Sequence, residues 1–123
     1  MQMITALIQP FRLEQVISEL LEAGIIGMTV CACCGHGRQF QLVDSLCDDT
    51  KIPRLLDKVK IEVAGSDCDM KVAIRAIVRG ARLDKVGDGK IFVTTLERVV
   101  SIRTRSEGDV ALHASFGVLE AAE

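Results

Sequence analysis

Twice along this chain the same succession occurs: a β-like run, a run of helical period, then a second β-like run. A duplicated order of this kind leaves few folds open, because each helix must lie on the sheet that its own half helps to build. In the first copy, Met3 to Ile8 is a compact apolar run closed by Pro10. Leu13, Val16, Ile17, Leu20 and Leu21 then recur at i, i+3, i+4, i+7 and i+8, one stripe of an amphipathic helix. Gly24 is placed to stop that helix, and Met28 to Cys34 returns as a strand of β-branched and small residues. In the second copy, Val59, Ile61 and Val63 alternate with Lys60 and Glu62, the pattern of a strand with one buried face. Ser66 with Asp69 three positions later forms a capping box. The stripe Met70, Ala73, Ile74, Ile77 and Val78 follows as the second helix, with Gly80 near its end and Ile91 to Thr94 as the closing strand. The expected fold class is α+β, a ferredoxin-like βαββαβ subunit in which two helices cover one face of an antiparallel sheet. The other face needs a cover that the chain does not supply before residue 95, and oligomerisation is the simplest one.

Size and composition agree with one domain: 123 residues, 49% of them apolar, suffice for a single core. A formal charge of -2, no Trp, no Tyr and only four Phe provide neither a basic field nor stacking platforms, which argues against nucleic acid as a partner. No apolar run approaches a membrane span, and Met1 to Phe11 lacks the features of a signal peptide, so a soluble, cytoplasmic protein without direct membrane insertion is expected. Five cysteines, an odd number, indicate reduced thiols, expected mostly as buried small hydrophobes.

Two stretches stand out. "VCACCGHGRQF", residues 30 to 40, puts Cys31, Cys33, Cys34 and His36 at a spacing that resembles a metal motif. On a strand, however, Cys31 and Cys33 share one face while Cys34 takes the other, so three thiolates converge only across a bend. The second stretch, "GHGRQFQLVDSLCDDTKIPRLLD", joins the two copies from Gly35 to Asp57 without sustained periodicity. A connection that long inside a compact domain is expected to be functional.

With these features in place, the chain resembles the PII signal-transduction family. "IQPFRLEQV", "GIIGMTV", "GHGRQ", "DKVKIEV", "VGDGKIFV" and "LERVVSIRT" stand in that family's order, over about residues 3 to 105, with no insertion or deletion needed. The resemblance implies a homotrimer of ferredoxin-like subunits, ATP, ADP or AMP in clefts between subunits, and a long mobile loop, here about residues 37 to 53, that engages a target protein. Residues 1 to 105 would form the domain and 106 to 123 a C-terminal tail lying near a neighbouring nucleotide cleft.

The matched residues make chemical sense. The two glycines of Gly87-Asp88-Gly89-Lys90 let backbone amides approach a phosphate while Lys90 supplies charge, although taken alone the segment reads more readily as an ordinary Gly-Asp-Gly turn. Arg103 lies on an alternating run with Val100 and Ile102 inward, which projects its guanidinium to the polar side. By resemblance, Gly87, Asp88, Gly89, Lys90 and Arg103 form the phosphate side, Thr29, Glu62 and Ala64 hold base and ribose, and Gly37 and Arg38 reach the nucleotide from the loop base. Without the family match, Glu62 and Lys60 read as a solvated strand face. Gln39 and Lys58 match the pair that handles 2-oxoglutarate, the Gln39 amide oxygen holding Mg²⁺ beside ATP.

This chain also departs from the family. Ser101 stands where a second arginine is usual, and loss of one guanidinium removes about 1.5–3 kcal/mol of charge-assisted hydrogen bonding, which shifts preference from ATP towards ADP or AMP. Phe40 and Gln41 replace the usual Lys-Gly after Gln39, which restricts the backbone where 2-oxoglutarate would sit. Lys51 occupies the place of the uridylylated tyrosine and Asp49 that of a phosphorylated serine. Some branches of the family are associated with carboxysomes or bicarbonate transport, and the resemblance implies a similar reading here: adenine nucleotides plus bicarbonate, with a transporter or enzyme of inorganic carbon as target. A 2-oxoglutarate and Mg-ATP-sensing nitrogen regulator is the alternative, and a cysteine-based metal or redox sensor the second. No Ser-His-Asp or paired-carboxylate arrangement stands out, and His36 and His113 lie in a loop and a tail, so an enzyme is not expected.

Overall fold

The computed structural model describes residues 1–36 and 55–112. Strand β1 spans Gln2–Ile8, a 3₁₀ turn covers Pro10–Arg12, and helix α1 spans Leu13–Glu22. Strands β2, Thr29–Gly35, and β3, Leu56–Gly65, follow, then helix α2, Asp67–Ala81, and strand β4, Gly89–Thr95. The four strands form one sheet in the order β2-β3-β1-β4, every neighbouring pair antiparallel. This is the expected ferredoxin-like βαββαβ arrangement.

Alternation along the two central strands decides which face is buried. Ile4, Ala6 and Ile8 of β1 lie level with Val63, Ile61 and Val59 of β3, and all six are buried under the helices. Val16 and Leu20 of α1, with Met70, Ala73, Ala76 and Ile77 of α2, complete the core. Each large aliphatic side chain withdrawn from water there contributes roughly 1.5–3 kcal/mol. The two helices touch closely because α2 carries Gly80 at the contact, where a Cβ would stand 2.7 Å from the Val16 Cα. Arg12 Nε donates to the Gly80 carbonyl at 2.8 Å and Arg79 pairs with Glu19 at 3.0 Å across the same seam.

Helix ends follow their sequence signals. Ser66 Oγ accepts from the Asp69 amide at 3.2 Å, one half of the capping box. Gly24, at φ 85°, ends α1, with the Ile25 amide donating back to the Leu20 carbonyl at 2.9 Å.

Three expectations are corrected. Leu21 and Val78, counted in the apolar stripes, are exposed, because the two-helix layer turns only part of each stripe onto the sheet. Cys31 and Cys34 are exposed and Cys33 half-buried, since β2 is an edge strand with little packed over it, and Cys68, in the first turn of α2, is exposed as well. Arg103 is not on a strand. Residues 102–104 form a turn closed by the Arg105 amide donating to the Ser101 carbonyl at 2.8 Å, with Arg105 at φ 60°, and Ile102 is 98% exposed. Only an isolated bridge, Val100 to Glu107, remains of that strand. The Val99–Gly108 hydrogen bond and the Arg98–Glu107 ion pair tie residues on both sides of position 105 into one loop.

Candidate nucleotide and anion site

The face of the sheet away from the helices is a register-built array of polar residues. Thr29 stands opposite Glu62, Glu62 opposite Thr5, and Thr5 opposite Phe92, one row across all four strands. The next row runs Cys31, Lys60, Leu7, Lys90. Paired residues of an antiparallel sheet share a face, so Thr29, Glu62, Lys60 and Lys90 all project to the open side, as does Ala64, two residues beyond Glu62. Lys60 Nζ lies 3.7 Å from the Glu62 carboxylate, which steadies both on the half-exposed strand face.

The Gly87–Lys90 turn is held from two sides. Asp88 Oδ2 accepts from the Leu83 amide at 2.9 Å and the Lys85 amide at 3.3 Å, folding the connection after α2 onto itself. The backbone hydrogen bond from Leu83, reinforced by that from Lys85 against a smaller desolvation effect, holds the Asp88 carboxyl below the usual aspartate range. Gln9 Nε2, at the end of β1, donates to the Gly87 carbonyl at 2.6 Å. Gly89 has φ 113°, and a Cβ on it would fall 1.8 Å from the Leu7 carbonyl oxygen, so no side chain fits where β4 joins β1. The carboxylate of Asp88 thus shapes the turn from within, while Lys90 leaves it on the open face. Beside it, between α2 and the start of β4, a cleft of about 400 Å³ is lined by Ile77, Ala81, Arg82, Asp88, Gly89 and Lys90 among others.

Lys58 stands opposite Cys33 on β2. Partial burial pulls its ammonium below the ordinary lysine value, and the nearby Cys33 sulfur acts in the opposite direction. These two residues, with Pro10, Cys34 and Asp57, line a further cleft of about 400 Å³.

The structure therefore brings Thr29 to Glu62 and gathers Gly87, Asp88, Gly89 and Lys90, but these two groups sit at opposite edges of the sheet. Glu62 and Lys90 are two strands and one row apart, about 10 Å across the sheet and about 7 Å along it. Arg103 lies in a third place, the turn that follows β4, where the neighbouring Ser101 Oγ accepts from the Thr104 amide at 3.5 Å and so caps the turn. Gly37, Arg38, Gln39, Phe40 and Gln41 lie outside the described residues, as do the whole 37–53 loop and the tail from His113. Among the described residues no group of three or more His, Cys, Asp or Glu is placed to hold a metal ion, and Cys34 projects to the face opposite Cys31 and Cys33. Sequence reasoning missed the Gln9 brace, whose signal is a lone amide directly before Pro10, and the Cys33–Lys58 pairing, which only the register reveals.

Comparison with known proteins gives a consistent result. A family model described as nitrogen regulatory protein P-II matches residues 1–106. Three proteins similar to this chain are a nitrogen regulatory protein P-II of Azospirillum brasilense, 43% identical, another of Rhodobacter capsulatus, 41% identical, and nitrogen regulatory protein P-II 1 of Escherichia coli, 41% identical. Each alignment covers 91% of this chain and 100% of the relative.

Proposed function

The chain belongs to the nitrogen regulatory protein P-II family, and from that premise we propose that it is a regulatory protein that senses ADP, AMP and ATP in clefts between subunits of a homotrimer. It also reads a small anion, bicarbonate, and signals to a target protein through the segment about residues 37 to 53. The observation that carries the nucleotide reading is the division of the matched residues between the two sheet edges. Thr29, on edge strand β2 with Glu62 beside it, and Gly89 with Lys90, on edge strand β4, each make half of a site. A head-to-tail ring that sets the β2 edge of one subunit near the β4 edge of the next completes the cleft. Base and ribose then meet Thr29, Glu62 and Ala64, while the phosphates meet the amides of Gly87 and Gly89, Lys90, Arg103 and, from the loop base, Gly37 and Arg38.

The phosphate end has one guanidinium fewer than the family pattern, because position 101 is a serine. ADP or AMP therefore binds at least as tightly as ATP. Isothermal titration with the three nucleotides tests this, and a clear preference for ATP would remove it. Lys58 is the cation for the small anion, with Gln39, Phe40 and Gln41 completing the site, and a transporter or enzyme of inorganic carbon is the target. A second reading has its own support: the relatives carry nitrogen regulation in their names, and Gln39 and Lys58, the pair matched to Mg-ATP and 2-oxoglutarate, are both present. Binding of bicarbonate against 2-oxoglutarate, measured with ADP and with Mg-ATP, separates the two. Strong 2-oxoglutarate binding only with Mg-ATP would replace the bicarbonate reading.

A further inference from the structure

We infer that the groove between the α1–β2 connection and the start of α2 is the seat of the chain's own C-terminal segment, residues 113–123. The groove holds about 400 Å³ and is lined by Ile26, Gly27, Gly65, Met70, Val72 and Leu112 among others. Ile26 is 53% and Val72 39% exposed, so two branched aliphatic side chains stand on its wall with little over them among the described residues. Gly24 and Gly27 keep the wall open, since a Cβ on either would meet nothing within 4 Å. Apolar surface gathered in this way marks a place where a further apolar segment docks.

The described chain ends at this groove. Gly108 ties its last residues to the fold through an amide that donates to the Val99 carbonyl at 3.0 Å. Residues 109–112 then turn helically, with the Ala111 amide donating to the Gly108 carbonyl at 2.9 Å, and bring Leu112 to the groove wall. The eleven residues that follow therefore start at the site. Ala114, Phe116, Val118, Leu119, Ala121 and Ala122 make six of the eleven apolar. Phe116 and Leu119 stand four and seven positions past Leu112, the spacing at which a continued helix keeps all three on one face. Asp69 is the one charged residue among the described lining, and the two glutamates of the segment come late in it, at Glu120 and Glu123. The segment also lies beyond residues 1–106, the span of the family match. It is thus seated on its own subunit rather than over a neighbouring nucleotide cleft. Thr29 follows Gly27 by two residues and Ala64 also lines the groove, so the seated segment steadies the proposed base side. That consequence rests on the proposed nucleotide site, and the seating does not.

Since the chain has neither Trp nor Tyr, Phe116→Trp in the full-length protein provides a single fluorescent reporter. Its emission should be that of a buried indole, and acrylamide should quench it about threefold less than Ser115→Trp, which lies off the Leu112 face. Gly27→Leu fills the groove from a position where a Cβ meets nothing, and Val72→Asp sets a charge on the wall. Each should raise quenching of the Phe116→Trp reporter to the Ser115→Trp level. Equal quenching of the two reporters, or a Phe116→Trp signal indifferent to both groove variants, would overturn the proposal. Emission that turns to the exposed form on dilution assigns the groove to a second copy and equally removes it. Titration of ADP into the full-length protein and into a chain ending at Leu112 reads the consequence: a loss of about threefold or more on truncation supports the coupling. Unchanged affinity leaves the seating standing and removes the coupling, and no ADP binding by the full-length protein removes the nucleotide reading alone.

Discussion

Two single residues decide whether the Gly87–Lys90 turn, the proposed phosphate side of the site, exists. Gly89 sits where β4 meets the Leu7 carbonyl, and a methyl group at that position would stand 1.8 Å from the carbonyl oxygen, which leaves no room for any side chain. Gly89→Ala should cost more than about 2 kcal/mol, read as a lowered denaturation midpoint, and should abolish nucleotide binding even in molecules that remain folded. Asp88 acts differently, by charge. Its carboxyl titrates below the unfolded aspartate value, so the stability it contributes is complete above that ordinary value, about 3.9, and is lost as pH falls through the lower folded one. The protection factors of the Leu83 and Lys85 amides against hydrogen exchange should therefore fall on acidification through that window, and Asp88→Asn should remove that pH dependence of protection. Neither role is fully legible in the sequence: the glycines and Lys90 are visible as a motif, but the inward aim of Asp88 and the brace from Gln9, 78 positions away, arise from how β1 and β4 meet.

At the scale of elements, the helix pair is the most exacting contact. Gly80→Ala would drive a methyl into the Val16 backbone, and over-packing of this kind costs about 1–3 kcal/mol. Ser66→Ala, which removes only the cap on α2, should cost about 1 kcal/mol. Chemical denaturation of both variants beside the parent checks the order; a Gly80→Ala variant less destabilised than Ser66→Ala would contradict the close approach described for α1 and α2. Strand and helix positions followed from periodicity, because burial of a single face repeats every second or every 3.6 residues. The run from Val100 to Arg103 shows where periodicity misleads. Four alternating residues are too few to separate a strand from a turn, and the left-handed Arg105 and the Ser101 cap favour the turn.

For the whole molecule, the open sheet face and the exposed Ile102 are the surfaces on which the proposed homotrimer would rest. Phe92, half exposed on that face, and Ile102, 98% exposed, are large apolar groups that a second and third copy would cover. Phe92→Asp and Ile102→Asp should each weaken association by about tenfold or more, the equivalent of one buried large side chain, measured by sedimentation equilibrium. Nucleotide affinity should fall in parallel, because in the proposed ring each cleft is built from both edges. A variant that dissociates into single subunits yet binds ADP as before would disprove the shared cleft.

The order of elements, the two helix stripes, the buried strand faces and the blocks that mark the family are all written locally, in spacings of two to four residues, and a sequence is enough to read them. Register is a different kind of information. Which residue of β2 faces which residue of β3 depends on how the strands align after folding, and that alignment put Thr29 against Glu62, set Lys60 and Lys90 in one row, and placed Cys33 against Lys58. The cysteine cluster that resembles a metal motif in one dimension is divided between two faces in three, since neighbouring side chains on a strand point opposite ways.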